Sequence, residues 1–68
     1  SRLGMPHSKK VARRLFELRV RGQQEVRLFY TFHKACIILL RGFIKKSNKT
    51  PRKEILLALQ KLKELDDI

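Results

Sequence analysis

The sequence predicts an α+β fold, a three-stranded antiparallel β-meander followed by one C-terminal α-helix. Three observations carry that expectation. Apolar side chains alternate with period two across residues 15–20 and again across 26–33. An apolar run, "CIILL", begins only two residues after the second of these segments. From residue 55 onward the apolar spacing changes to that of a helix. A chain of 68 residues has room for one domain, spanning 1–68, with a small core.

Residues 1–13 contain Gly4, Pro6, Ser8 and the basic side chains Arg2, Lys9, Lys10 and Arg13. They are expected to form a loop or extended lead-in. In "LFELRV", residues 15–20, Phe16, Leu18 and Val20 share one side while Glu17 and Arg19 take the other. "RGQQE" supplies a turn around Gly22. In "VRLFYTFH", residues 26–33, Leu28, Tyr30 and Phe32 share a face, opposite Arg27, Phe29, Thr31 and His33. Lys34 and Ala35 make a short turn. "CIILLRGF", residues 36–43, is apolar on both faces through Leu40, so it calls for cover on both sides. Cys36 reads as a small buried apolar residue within that strand.

The helix is expected to begin with Thr50 as N-cap and Pro51 at the first helical position. Lys53 stands where a capping box would place an acid. Ile55, Ala58, Leu59, Leu62 and Leu65 form the stripe that faces the core. One helix covers one face of a sheet. The second face is therefore expected to pack on a partner or on a covering element that this chain lacks.

The charge is the other unusual feature. Seventeen basic residues stand against six acidic ones, for a formal net charge of +11. Residues 1–53 carry 15 basic and two acidic side chains, whereas residues 54–68 carry two and four. Such a domain is expected to meet a polyanion. The stretch "RGFIKKSNKTPRK", residues 41–53, has six basic residues and no acid. If Val20 pairs with Val26, Arg19 falls opposite Arg27, a like-charge pair that a sheet tolerates more readily around an anion. A two-residue turn at Lys34 and Ala35 then brings Arg27 near Gly42. Arg19, Arg27 and "IKKSNK" would thus converge on one patch.

Other chemistries find little support. His7 and His33 stand apart from any cysteine or carboxylate cluster at ligand spacing, so no metal site is expected. No glycine-rich phosphate loop and no nucleophile motif is present. One cysteine excludes an intrachain disulfide and points to a reducing compartment. No apolar run approaches the length of a membrane helix. The basic residues do not line an amphipathic helix, which argues against a membrane surface.

The phrases "LFELR", "VRLFYTF" and "GFIKKSNKTP" together make the chain similar to the RelE/HigB-type toxins of bacterial toxin–antitoxin systems, closest to their phage-derived HigB-like branch. The resemblance runs through residues 3–65. It implies a compact α+β domain whose N-terminal helices pack on the antiparallel sheet. This chain lacks those helices and is expected to be the C-terminal portion of a longer one. Ala35 stands where the family often has glycine in the turn, which bears on the turn's geometry.

The resemblance also implies a cytoplasmic mRNA endoribonuclease, usually acting on the ribosome and restrained by an antitoxin. No cofactor is expected. The positions matching its catalytic residues are Arg19, Arg27, Lys45 and Lys46, with the Arg27 and Lys46 side chains expected to be exposed. A ribose 2′-hydroxyl would attack the neighbouring phosphate, and fixed cations would meet the growing charge. Arginine suits phosphate oxygens because its planar fork binds two at once. Lys45 or Lys46 is the candidate for proton exchange with the reacting oxygens. Lys9, Lys10, Arg21, Arg41, Lys49, Arg52 and Lys53 would hold the RNA backbone without reading sequence. Tyr30 or Phe29 is a candidate to stack a base, set against a role in core packing. The alternative reading is a non-catalytic module that binds RNA or antitoxin, with self-association through the uncovered sheet face.

Overall fold

The computed structural model describes residues 7–46 and 49–67. Four strands and a helix follow one another: β1 (His7–Ala12), β2 (Leu15–Val20), β3 (Val26–His33), β4 (Cys36–Ile44) and α1 (Arg52–Asp66). All neighbouring pairs are antiparallel, in the sheet order β1-β2-β3-β4. The α+β class and the meander agree with the sequence reading, with one strand more than expected. Residues 7–12 of the basic lead-in form that strand. It pairs with β2 from His7 opposite Arg19 to Ala12 opposite Leu15. Its alternation is weak because it lies at the sheet edge and most of its side chains are polar. Residues 1–6 of the lead-in lie outside the described residues.

The β2–β3 register is the one the turn length predicts: Val20 opposite Val26, Arg19 opposite Arg27 and Leu18 opposite Leu28. Lys34 and Ala35 join β3 to β4 with φ of 49° and 65°. A two-residue hairpin turn of the I′ kind needs positive φ at both positions. That turn puts His33 opposite Cys36, but the count then slips at Leu40. Tyr30 pairs with Leu39 and Phe29 with Arg41, leaving Leu40 as the extra residue of a β-bulge. Arg27 consequently lies opposite Phe43 rather than Gly42. Past the bulge, the odd-numbered Arg41 and Phe43 join Leu40 on the side facing the helix.

The core lies on that side. Leu15, Phe29, Leu40, Ala58 and Leu62 are buried, with Val11, Ala12, Ile38, Phe43, Ile55 and Leu59 packed around them. Each large apolar side chain buried this way contributes about 1.5–3 kcal/mol. The helical stripe read from the sequence is therefore the packing face of α1. The helix begins one residue later than expected. Pro51 is its N-cap and makes no side-chain cap hydrogen bond. Thr50 spends its hydroxyl elsewhere, donating to Glu17 Oε2 at 3.2 Å. At the other end, Arg14 Nη1 donates to both carboxylate oxygens of Asp66, at 2.6 and 2.7 Å. That pair ties the β1–β2 turn to the end of α1.

The second face is bare of any cover among the described residues. Phe32, Ile37 and Leu39 are 54, 67 and 61% exposed, and Val20 and Ile44 are exposed beside them. Phe16, Tyr30 and Phe32 cluster there, with ring centroids 5.3–5.7 Å apart. The Tyr30 hydroxyl bonds to Ser8 Oγ of the edge strand. Cys36, expected to be buried, is exposed. It directly follows the turn at the rim of the sheet, beyond the reach of the helix.

Candidate nucleic-acid interface

The sheet places two arginines side by side on its helix-facing side. Arg19 in β2 and Arg27 in β3 are directly opposite each other. Arg41, which pairs with Glu54 in the first helical turn, sits opposite Phe29, the next residue on that face after Arg27. The arginines thus stand at the end of the sheet nearest the β2–β3 turn.

The two guanidinium groups have different surroundings. Arg19 is half-buried, whereas Arg27 is only 4% exposed. The expectation that Arg27 is a surface residue is therefore corrected. Period two places it with Phe29 and Thr31 on the covered side, and it stays there because carboxylates accompany it. Arg27 Nη1 lies 3.9 Å from Glu17 Oε1, and Arg27 Nη2 lies 3.6 Å from Glu25 Oε1. A charge out of water at this depth costs several kcal/mol unless it is paired. Arg27 Nε is buried with no hydrogen-bond partner.

Glu17 and Glu25 are the two acids of residues 1–53, and both serve this site. Glu17 is 3% exposed. It lies 4.0 Å from Lys9 Nζ and accepts the Thr50 hydroxyl, which draws the segment before α1 onto the sheet. Glu25 Oε1 accepts from Arg19 Nε at 3.2 Å and Nη2 at 2.8 Å. The hydrogen bond from Arg19 holds the Glu25 carboxyl below its ordinary range, aided by the charges of Arg19, Arg27 and Arg21. Sequence reasoning missed these two residues. The signal available was their scarcity, two acids among fifteen bases, each within two residues of one of the paired arginines.

The basic stretch meets the site through one backbone contact. The Lys45 N–H donates to the Glu25 carbonyl at 2.8 Å. Lys45, half-buried, therefore lies beside the arginine pair, with Lys46 exposed one residue on. Lys9, Lys10, Arg21, Lys49, Arg52 and Lys53 are all exposed. Arg41 is half-buried and engaged by Glu54. Phe29, one of two candidates to stack a base, is fully buried and tilts against Phe43 at 5.5 Å, so it belongs to the core. Tyr30, the other candidate, lies on the opposite, bare face. Among the described residues no three His, Cys, Asp or Glu side chains are grouped to hold a metal ion, and no helix is long and apolar enough to cross a membrane.

A comparison with known families matches residues 1–63 to the family described as phage derived protein Gp49-like (DUF891). No curated protein and no solved structure matches the chain.

Proposed function

Because the chain belongs to the Gp49-like family of phage-derived proteins, a family of the RelE/HigB-like toxin kind, we propose that it is the toxin of a toxin–antitoxin system and cleaves mRNA. The HigB type, action on the ribosome in the cytoplasm and independence of metal ions are parts of the same proposal. The single observation that carries it is the Arg19–Arg27 pair with Lys45 beside it, at the β2–β3 end of the sheet in a strongly basic chain.

The chemistry follows from what those groups offer. A ribose 2′-hydroxyl attacks the adjacent phosphorus and the 5′-oxygen leaves, so negative charge grows on the phosphoryl oxygens. Arg19 meets those oxygens with its planar fork, and Arg27 supports the charge from beneath. Lys45 or Lys46 exchanges a proton with the reacting oxygens. Lys9, Lys10, Arg21, Lys49, Arg52 and Lys53 hold the flanking backbone. Arg41, already engaged by Glu54, contributes mainly by fixing the start of the helix. The bare sheet face is the proposed surface for protein partners, an antitoxin segment or a second copy of the chain.

A second reading is favoured by one observation. Both arginines already have carboxylate partners within the chain. A non-catalytic module that binds RNA or an antitoxin would have that arrangement too. Cleavage in a translating extract separates the two. The parent should cut mRNA, and Lys46→Ala should slow it roughly 10²-fold or more without loss of folding, because Lys46 is exposed. Binding to single-stranded RNA should weaken steeply between about 50 and 200 mM salt. Salt-dependent binding without cleavage would replace the first reading by the second. Binding indifferent to salt would remove both RNA readings.

A further inference from the structure

Glu25 occupies the place that the arginine pair would offer to a phosphate. Its Oε1 lies 2.8 Å from Arg19 Nη2, 3.2 Å from Arg19 Nε and 3.6 Å from Arg27 Nη2. Three guanidinium nitrogens from two strands thus converge on one anionic oxygen. Both donors of the Arg19 fork meet that one oxygen, as they could meet a single phosphate oxygen.

The two acids of the site differ in how firmly they are held. Glu17 is enclosed by the sheet and by Thr50, so it stays as the permanent counter-ion of Arg27. Glu25 precedes β3, and its side chain is 41% exposed. Its backbone is pinned by the Lys45 amide, but among the described residues the carboxylate stays open on its solvent side. With Glu25 in place, two arginines face two carboxylates. With Glu25 swung out, they face Glu17 alone and keep one unit of positive charge for a ligand. Arg27 Nη2 would also lose the group that covers it.

We infer that the Glu25 carboxylate is a built-in stand-in for phosphate, which closes the Arg19–Arg27 pair until an RNA phosphodiester displaces it. This rests on the RNA reading above and adds a self-blocking contact to it. The empty site is kept neutral, and Arg27 Nη2, which faces Glu25 rather than Glu17, stays covered until the phosphate arrives. A lone phosphate would compete poorly with a tethered carboxylate. A strand also held by the surrounding lysines and arginines would bring the phosphate in at high local concentration.

The test compares two charge-equivalent variants of the full chain. Glu25→Gln and Glu64→Gln each remove one negative charge, but Glu64 is exposed near the far end of α1. Binding of a single-stranded RNA oligonucleotide is measured for the parent and both variants. Glu25→Gln should bind about fivefold tighter, the upper range for an exposed ion pair, while Glu64→Gln stays near the parent. Glu25→Asp, which retracts the carboxylate by one methylene, should fall between the parent and Glu25→Gln. It carries the test if Glu25→Gln does not fold. Unchanged binding in the Glu25 variants, or an equal gain in Glu64→Gln, overturns the stand-in role and leaves the RNA reading intact. No RNA binding by any of the three proteins overturns both.

Discussion

Arg19 and Arg27 stand directly opposite each other across the β2–β3 ladder, and the carboxylate of Glu25 bridges them. Like charges at such a position destabilise a sheet. Here the strain is relieved from within the chain, by Glu25 on the solvent side and Glu17 on the core side. The site is thus part of the folding energetics as well as the proposed chemistry, and substitutions in it read out on both.

Arg27→Ala should cost about 3 kcal/mol or more of folding stability, because it leaves the buried Glu17 carboxylate without its nearest guanidinium. In a domain of this size that loss should appear as a sharply lowered thermal midpoint. Arg19→Ala, at a half-buried position, should cost clearly less. Equal midpoints for the two variants would show that Arg27 is not the buried partner described above.

The bare face should drive association. Ile37, Leu39 and Phe32 are more than half exposed on one contiguous apolar surface. A patch of more than a few hundred Å² is rare on a soluble monomer. The chain alone should therefore sediment as a dimer or larger species at micromolar concentration. Ile37→Lys combined with Leu39→Lys should return it to a monomer. A well-folded monomeric parent would count against this face as a contact surface.

Ala35→Gly should stabilise the domain. Ala35 has a φ of 65°, and a non-glycine residue there costs roughly 1–2 kcal/mol. Glycine recovers part of that and gives some back through the freer unfolded chain. A net gain of about 0.5–1 kcal/mol is expected, measured as a higher denaturant midpoint with unchanged slope. An unchanged or lower midpoint would mean that the turn relaxes to accommodate alanine.

The sequence carried the register of β2 and β3 plainly. Two alternating segments flank a short turn, and a one-residue slip would turn Phe29 out and Tyr30 in. The helix stripe was equally clear, since Ala58 and Leu62 are spaced for one face. Three features were hidden for physical reasons. β1 pairs on one side only, and its polar side chains give little periodic signal. The bulge at Leu40 lies within an apolar run whose residues look alike on either face. Arg27 looked exposed because a lone arginine usually is. Only the two carboxylates converging from Glu17 and Glu25 make its burial tolerable, and they meet through tertiary pairing.

The same bulge bears on how the chain survives in a crowded cell. β4 is the most apolar strand, yet it lies at the edge of the sheet, and no other described strand pairs along its outer side. An open edge of "CIILL" is the kind of template on which further chains add strand by strand into fibrils. The extra residue at Leu40 breaks the regular spacing of the groups that an incoming strand would need. Arg41, Lys45 and Lys46 then act as gatekeepers just downstream, where a growing stack would have to superimpose their charges. The irregularity that brings Phe43 to the core thus also spoils the edge for aggregation.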